Sequence, residues 1–243
     1  MGMDMFRTTM RTSAWNADDV REDDDIISMV VIMKDEKLPN GQPMQTLQSS
    51  MVAASDAMLA LFNSTGTLGD TYDGLLKSWV DGRIRKVVKH AKPAKFHDIR
   101  KLLDDRGVPY GYADVDGSSA LVLCPLHAST QHEEWFKPIH KLQLHGYHAP
   151  SSSVCDASAS SYLIVTVNNE LGMSDGKMIA QLMHAVQVAV CELDDDEYDD
   201  WKHGGFNIYP CLGKPSQEDS IIIHDAGFTE IPPDSFTASA LVV

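Results

Sequence analysis

A chain of 243 residues, 43% hydrophobic and 23% charged, is long enough to bury a core in two small domains or one large one. Its net charge of −15 argues against a general nucleic-acid coat protein, which a polyanion would repel, and no apolar run is long enough to span a membrane. Cys124, Cys155, Cys191 and Cys211 show no CxxC spacing and read as reduced thiols of a cytoplasmic protein.

In chain order, the first 25 residues carry no apolar core of signal-peptide type. Met1–Ala14 reads as a frayed tail and Asp18–Asp25 as an acidic, solvated lead-in. Ile26–Met33 is strand-like, and Met44–Phe62 reads as a helix after the Lys34–Pro43 loop. Between Arg83 and Lys101 stand eight basic residues (Arg83, Arg85, Lys86, Lys89, Lys92, Lys95, Arg100 and Lys101) against Asp98, a net of +7. On so acidic a chain this band is a candidate contact for phosphates; a solvated strand edge and helix face is the plainer alternative. Arg85–Ala91 reads as a strand, Phe96–Asp105 as a helix after Pro93, and Gly111–Leu126 as a strand pair.

Ala128–Ser161 joins two halves, with a short turn at Glu133–Pro138 and a Ser/Ala-rich linker at Ala149–Ser161. His127, His132, His140, His145 and His148 lie in or beside it. The i, i+3 pairs Cys124/His127 and His145/His148 form no established metal signature. No metal and no cofactor is expected.

The second half is organised by the apolar run Tyr162–Val167 and the helical stretch Ser174–Val190. Ser174 is a good N-cap, and Asp175 suits the positive end of the helix. At about 100° per residue, Ile179, Leu182, Val186, Val190 and Leu193 share one face. Lys177, Gln181 and His184 share the opposite face, which reads either as a functional line or as a solvated surface. Asp194–Asp200 carries six acids and reads as a solvated helix end or loop. Phe206–Leu212 and Ser220–Ile223 follow as strands, then a turn-rich loop, His224–Pro233, and a closing strand, Phe236–Val243. Only Gly213–Asp219 separates the first two of these strands. That is too short for a crossover helix, so either the pairing differs there or the sheet is reduced.

The spacing "GK…AQ…HA" on the helix, with "DAGxTEIPP" between the last two strands, resembles peptidyl-tRNA hydrolase of the second (archaeal and eukaryotic) type. It covers Tyr162–Val243. The stretch Trp79-Val-Asp-Gly-Arg-Ile-Arg-Lys-Val-Val-Lys-His-Ala91 is similar to one in a longer bacterial form placed in the same family. The first half then reads as a degenerate copy. Aligned on Asp56 and His184, it has Ser49 for Lys177 and Ala53 for Gln181. Asp114 stands for Asp225, with only Ser118 and Ser119 near the place of Thr229.

The resemblance implies an α/β fold of two tandem small three-layer domains. Each would hold a mostly four-stranded mixed sheet with flanking helices, the two arranged as a monomeric pseudo-dimer. The expected divisions are a tail over 1–25, a degenerate domain with the basic band over 26–127, a linker over 128–160 and a motif-bearing domain over 161–243. The implied activity is hydrolysis of the ester of peptidyl-tRNA, or of N-blocked aminoacyl-tRNA, by direct water attack. No Ser-His-Asp or Cys-His arrangement or Gly-x-Ser-x-Gly elbow suggests an acyl-enzyme. The resemblance assigns Lys177, Gln181, His184, Asp225 and Thr229 to the site. Asp225, with His184, would orient and deprotonate water, Lys177 would stabilise the oxyanion or hold the terminal phosphate, and Gln181 and Thr229 would position the ester. Arg83, Arg85, Lys86 and Lys89 would bind tRNA. The alternative is a non-catalytic tRNA- or protein-binding module on the same scaffold.

Overall fold

The computed structural model describes residues 2–12, 28–37, 40, 44–81, 85–146, 162–225 and 230–243. Its architecture is α/β, with two four-stranded mixed sheets and flanking helices. In the first half, β1 (Met29–Lys34) leads through α2 (Leu47–Asn63) and α3 (Asp70–Asp81) to β2 (Lys86–Ala91). Then α4 (Pro93–Arg106) leads to the hairpin β3 (Tyr110–Val115) and β4 (Ser118–Leu123). A short helix, α5 (Lys137–His140), lies beyond. In the second half, β5 (Leu163–Asn168), α6 (Asp175–Glu192) and α7 (Asp195–His203) lead to β6 (Ile208–Gly213), β7 (Ile221–His224) and β8 (Phe236–Val242).

The strand orders are β2-β1-β4-β3 and β6-β5-β8-β7. In each half the first two strands run parallel and the last strand pairs antiparallel on both sides. The two halves therefore repeat one topology, and their main helices start in the same way. Thr46 caps α2 in a capping box with Ser49, and Ser174 caps α6 through the Lys177 N–H.

They differ in the second crossover. In the first half α4 covers the outer face of the sheet, so β1 is buried on both faces and its sequence MVVIM is apolar throughout. In the second half the place of α4 is taken by 214–220. Three strand spacings are about 14 Å, and eight peptide steps reach about 28 Å, so the chain can pass across the sheet without a helix. It is tied down where it passes: the Ser216 N–H donates to Ser239 Oγ at 3.1 Å, and Ser239 donates to Asp219. All four strands remain, because β6 and β7 occupy opposite edges and are not neighbours. The outer face is only partly covered, and β5 alternates buried and half-buried side chains accordingly.

The inner faces meet over one continuous core. Helix α2 packs on β3 and β4 of its own sheet and on β6 of the other. Helix α6 packs on β5, β7 and β8 and on β2 of the other. The two helices also pack on each other. The line Lys177, Gln181, His184 is therefore not a solvated face: Gln181 is buried, and the helix is covered on nearly all sides.

The expected N-terminal tail is instead a helix, α1 (Gly2–Thr12). Met3 and Phe6, one turn apart, are both buried, and Phe6 stacks on Phe62 at 3.8 Å between ring centroids. Arg7 donates to the Leu193 and Asp194 carbonyls, pairs with Asp195 at 3.1 Å and lies over the Tyr198 ring. Helix α1 thus straps the end of α2 to the α6–α7 corner. Truncating a buried aromatic costs about 3–5 kcal/mol, so Phe6→Ala is expected to lower the denaturant midpoint of the whole chain by a matching amount.

The acidic stretch 194–200 is neither a loop nor the end of α6 but opens a helix of its own, with Asp194 capping α7 and Tyr198 and Trp201 buried. Cys124 and Cys191 carry free thiols, but Cys211 is disulfide-bonded. This corrects the expectation of four reduced cysteines. Among the described residues no helix is long and apolar enough to cross a membrane. The Ala149–Ser161 linker lies outside the described residues.

Candidate functional site

The motif residues of α6 and the loop after β7 meet where the N-terminus of α6 abuts the ends of β7 and β8. Lys177 forms an ion pair with Asp225 Oδ1. Gln181 Nε2, one turn further along, donates to the same oxygen at 2.9 Å. Lys177 and Asp225 keep 13% and 7% of their side-chain surface exposed, so the pair is largely shielded from solvent and Coulomb attraction is only weakly screened.

Two further residues hold this arrangement, and neither was singled out in the sequence. The pairing of β7 with β8 shifts between Ile223 and His224, leaving Thr237 as an extra residue in β8. Such a bulge re-aims a side chain, and Thr237, fully buried, donates to Gln181 Oε1 at 2.8 Å. That contact fixes which end of the Gln181 amide faces Asp225: the oxygen is taken, so the NH2 points to the carboxylate. Glu230 accepts from both the N–H and the hydroxyl of Ser174, each at 2.7 Å. Glu230 thereby ties the chain before β8 to the cap of α6. Asp225 is joined to the same segment by its N–H on Ser235 O at 3.0 Å and by the Asp234 N–H on its own carbonyl at 2.7 Å. The sequence does place Glu230 inside the "DAGxTEIPP" stretch, but nothing local gives its partner.

A second contact group comes from the segment that joins the halves. His145 accepts from the Gly176 N–H at 2.9 Å and donates its own N–H to Val88 O, so the chain after α5 bridges β2 and the first turn of α6. A Cβ on Gly176 would lie 2.3 Å from the His145 oxygen; only glycine admits this approach. Burial pushes the His145 imidazole down to about 4, reinforced by neighbouring His90.

The structure redistributes the basic band. Lys86, expected on a phosphate, is buried instead, with Nζ 3.1 Å from His184 Nδ1 and 2.6 Å from Gln187 Oε1. Lys89 Nζ donates to the His140 and Leu142 carbonyls at 3.2 and 2.9 Å. Lys101 pairs with Asp105 and Arg100 lies over Tyr112. Arg85 and Lys92 remain exposed. Strand alternation explains this: Lys86 and Val88 face the inner core, where α6 crosses β2. Arg83 and Thr229 lie outside the described residues.

His184 is held well below the ordinary imidazole range by burial first, then by the Lys86 and Lys177 cations. It is a neutral ring at neutral pH. In the first half, the place of Lys177 is occupied by Ser49, whose hydroxyl lies 2.8 Å from that of Ser118, while Asp114 accepts from Ser119 at 2.5 Å. The first half thus has a polar link at the corresponding corner of its sheet, with serine hydroxyls in place of the cation and its paired carboxylate. Among the described residues no three His, Cys, Asp or Glu side chains converge to hold a metal. Comparison with family models, curated proteins and solved structures gave no match.

Proposed function

We propose that this chain hydrolyses the ester bond of peptidyl-tRNA or of N-blocked aminoacyl-tRNA, and that the site is built on Lys177, Gln181 and Asp225 at the head of α6. The observation that carries this reading is the Asp225 carboxylate gripped by Lys177 and Gln181. Two motifs 48 residues apart in sequence meet through their polar side chains, in the setting the sequence resemblance implied.

The chemistry follows from these groups. Asp225 accepts a proton from water as the water attacks the ester carbonyl. The Lys177 ammonium, close to the positive end of α6, stabilises the negative charge that develops on the carbonyl oxygen. Collapse of the tetrahedral intermediate breaks the bond to the ribose oxygen, which takes up the proton and leaves as the free terminal hydroxyl of tRNA. Gln181, locked by Thr237, holds the carboxylate in one orientation. His184 is not a base in this scheme, because its Nδ1 already faces the Lys86 cation; this revises the role the resemblance suggested for it. Arg85 and Lys92 are the band's exposed candidates for phosphate contact. The repeated topology and the reciprocal packing of α2 and α6 support an origin as a fused pseudo-dimer, with the second half carrying the chemistry.

The test is release of tRNA from N-blocked aminoacyl-tRNA by the purified chain. Lys177→Ala is expected to slow release by about 10²-fold or more, the usual loss when a group stabilising an oxyanion is removed. Release by the wild type that is unchanged in Lys177→Ala would reject this site. No release by the wild type would reject the reaction.

A further inference from the structure

Lys86 is a cation of the basic band that reaches from the first half to the motif helix of the second. Among the described residues no carboxylate pairs with it. Its neighbours are Gln187 Oε1 at 2.6 Å, His184 Nδ1 at 3.1 Å and the face of the Trp79 ring, 5.0 Å from the ammonium to the centroid. Trp79 is itself buried and anchored by its indole N–H on Arg85 O at 3.2 Å. A buried amine surrounded in this way is costly unless each neighbour offers electron density to its N–H groups. The amide oxygen and the indole face do so. The imidazole does so only if Nδ1 presents a lone pair.

We infer that Lys86 is a positioning residue through which the degenerate first half fixes His184 as the tautomer protonated on Nε2, leaving that nitrogen a hydrogen-bond donor. Use of that donor on a substrate, as a contact to an ester or ribose oxygen, rests on the hydrolase reading; the tautomer itself does not. The arrangement accounts for a first half that keeps the scaffold without the motif residues: β2 supplies a side chain that α6 cannot supply to itself. It also gives the GRIRKVVKHA stretch, residues 82–91, a reason other than phosphate binding to carry lysine at position 86.

The charges around His184 point the same way, while burial of Lys86 works against its own charge. Lys86 from β2 and Lys177 from α6 both disfavour an imidazolium at His184, and burial adds to them. Burial also drives Lys86 well below the ordinary lysine range, with Cys191 of α6 acting in the opposite sense. Loss of Lys86 removes the nearest cation from His184 and leaves Nδ1 free to take a proton, so the imidazole titrates at higher pH than in the wild type.

The experiment is a two-bond proton–nitrogen correlation spectrum of the intact chain, with His184→Gln to identify the His184 signals among the ten histidines. In the wild type, Nδ1 is expected at the unprotonated position and Nε2 at the protonated one, unchanged across the neutral pH range. In Lys86→Met the two signals should move toward exchange between tautomers and titrate as pH falls. In Lys86→Gln, which restores a neutral N–H donor, they should return toward the wild-type pattern. A wild-type spectrum with Nδ1 protonated overturns the inference, as does a Lys86→Met spectrum indistinguishable from wild type. Should Lys86→Met fail to fold, the wild-type spectrum alone decides. If the chain releases tRNA, Lys86→Met should also gain an ionisation on the acid limb of its rate profile that Lys86→Gln lacks. Absence of release in every variant would count against the hydrolase reading and leave the spectrum to judge Lys86.

Discussion

Asp225→Asn should lower tRNA release by about 10³-fold, within the 10²–10⁴-fold range that a positioned general base contributes. The substitution keeps the shape of the side chain and an oxygen for Gln181 Nε2, but removes the charge and the ability to accept a proton. It also leaves Lys177, only 13% exposed at its side chain, without its partner. Stranding one member of a shielded ion pair costs about 3–5 kcal/mol, so some loss of stability is expected with the loss of rate. The two effects separate in the double variant Lys177→Met/Asp225→Asn. It removes both charges and should recover most of the stability while remaining as slow as the single variant. Turnover of Asp225→Asn within tenfold of wild type, after correction for the folded fraction, would remove Asp225 from the chemistry. Recovery of turnover in the double variant would show that the defect lay in the buried charge.

Much of this site could be read from the sequence because its signals are local. Ser174 stands as an N-cap before an apolar-periodic stretch, and α6 begins at the next residue. Lys177 and Gln181 fall one turn apart and do reach a common partner. Strand positions followed from runs such as MVVIM and LIVTVN. Even the missing crossover helix was visible in the length of 214–220, and β5 carries its mark in the polar Thr166 and Asn168 on the less covered side.

What was not legible depends on contacts far apart in the chain. Thr237 acts through a bulge that has no local signature, and Glu230 through a cap 56 residues away. Lys86 and His184 are 98 residues apart. A lysine in a basic run looks solvated unless the phase of its strand against a distant helix is known. Helix α1 was missed for another reason: Met3, Phe6 and Met10 do stand at helical spacing, but the stretch is short and its apolar face needs Phe62 to pack on. Isolated helices of that length are marginal in water. Its stability comes from tertiary contact.

Gly111→Ala should destabilise the whole chain by about 3–5 kcal/mol, among the larger effects of a single substitution. An added Cβ at Gly111 would lie 1.7 Å from the carbonyl oxygen of Ala57 and 2.9 Å from the backbone nitrogen of Leu61. Both obstacles are helix backbone, which cannot swing aside as a side-chain tip can. Helix α2 lies directly on β3 at this point, and relief requires the helix to lift by about 1 Å or more in an interior packed as densely as a crystal. The lift would also disturb what α2 supports, since the same helix packs on α6 and β6 and carries Phe62 against Phe6. A chain of this size loses about 2–4 °C of melting temperature per kcal/mol, so the transition should fall by about 10 °C. Gly74→Ala is the control: it lies inside α3, and among the described residues no atom beyond its own stretch of helix comes within 4 Å of the added methyl, so replacing a helical glycine there should be neutral or stabilising by about 0.5–1 kcal/mol. Because α2 and α6 share one core, the Gly111→Ala transition should remain a single cooperative event that carries the Lys177–Asp225 pair with it. Two separate transitions, or a melting temperature unchanged from wild type, would show that the halves fold independently or that α2 does not sit so close on β3.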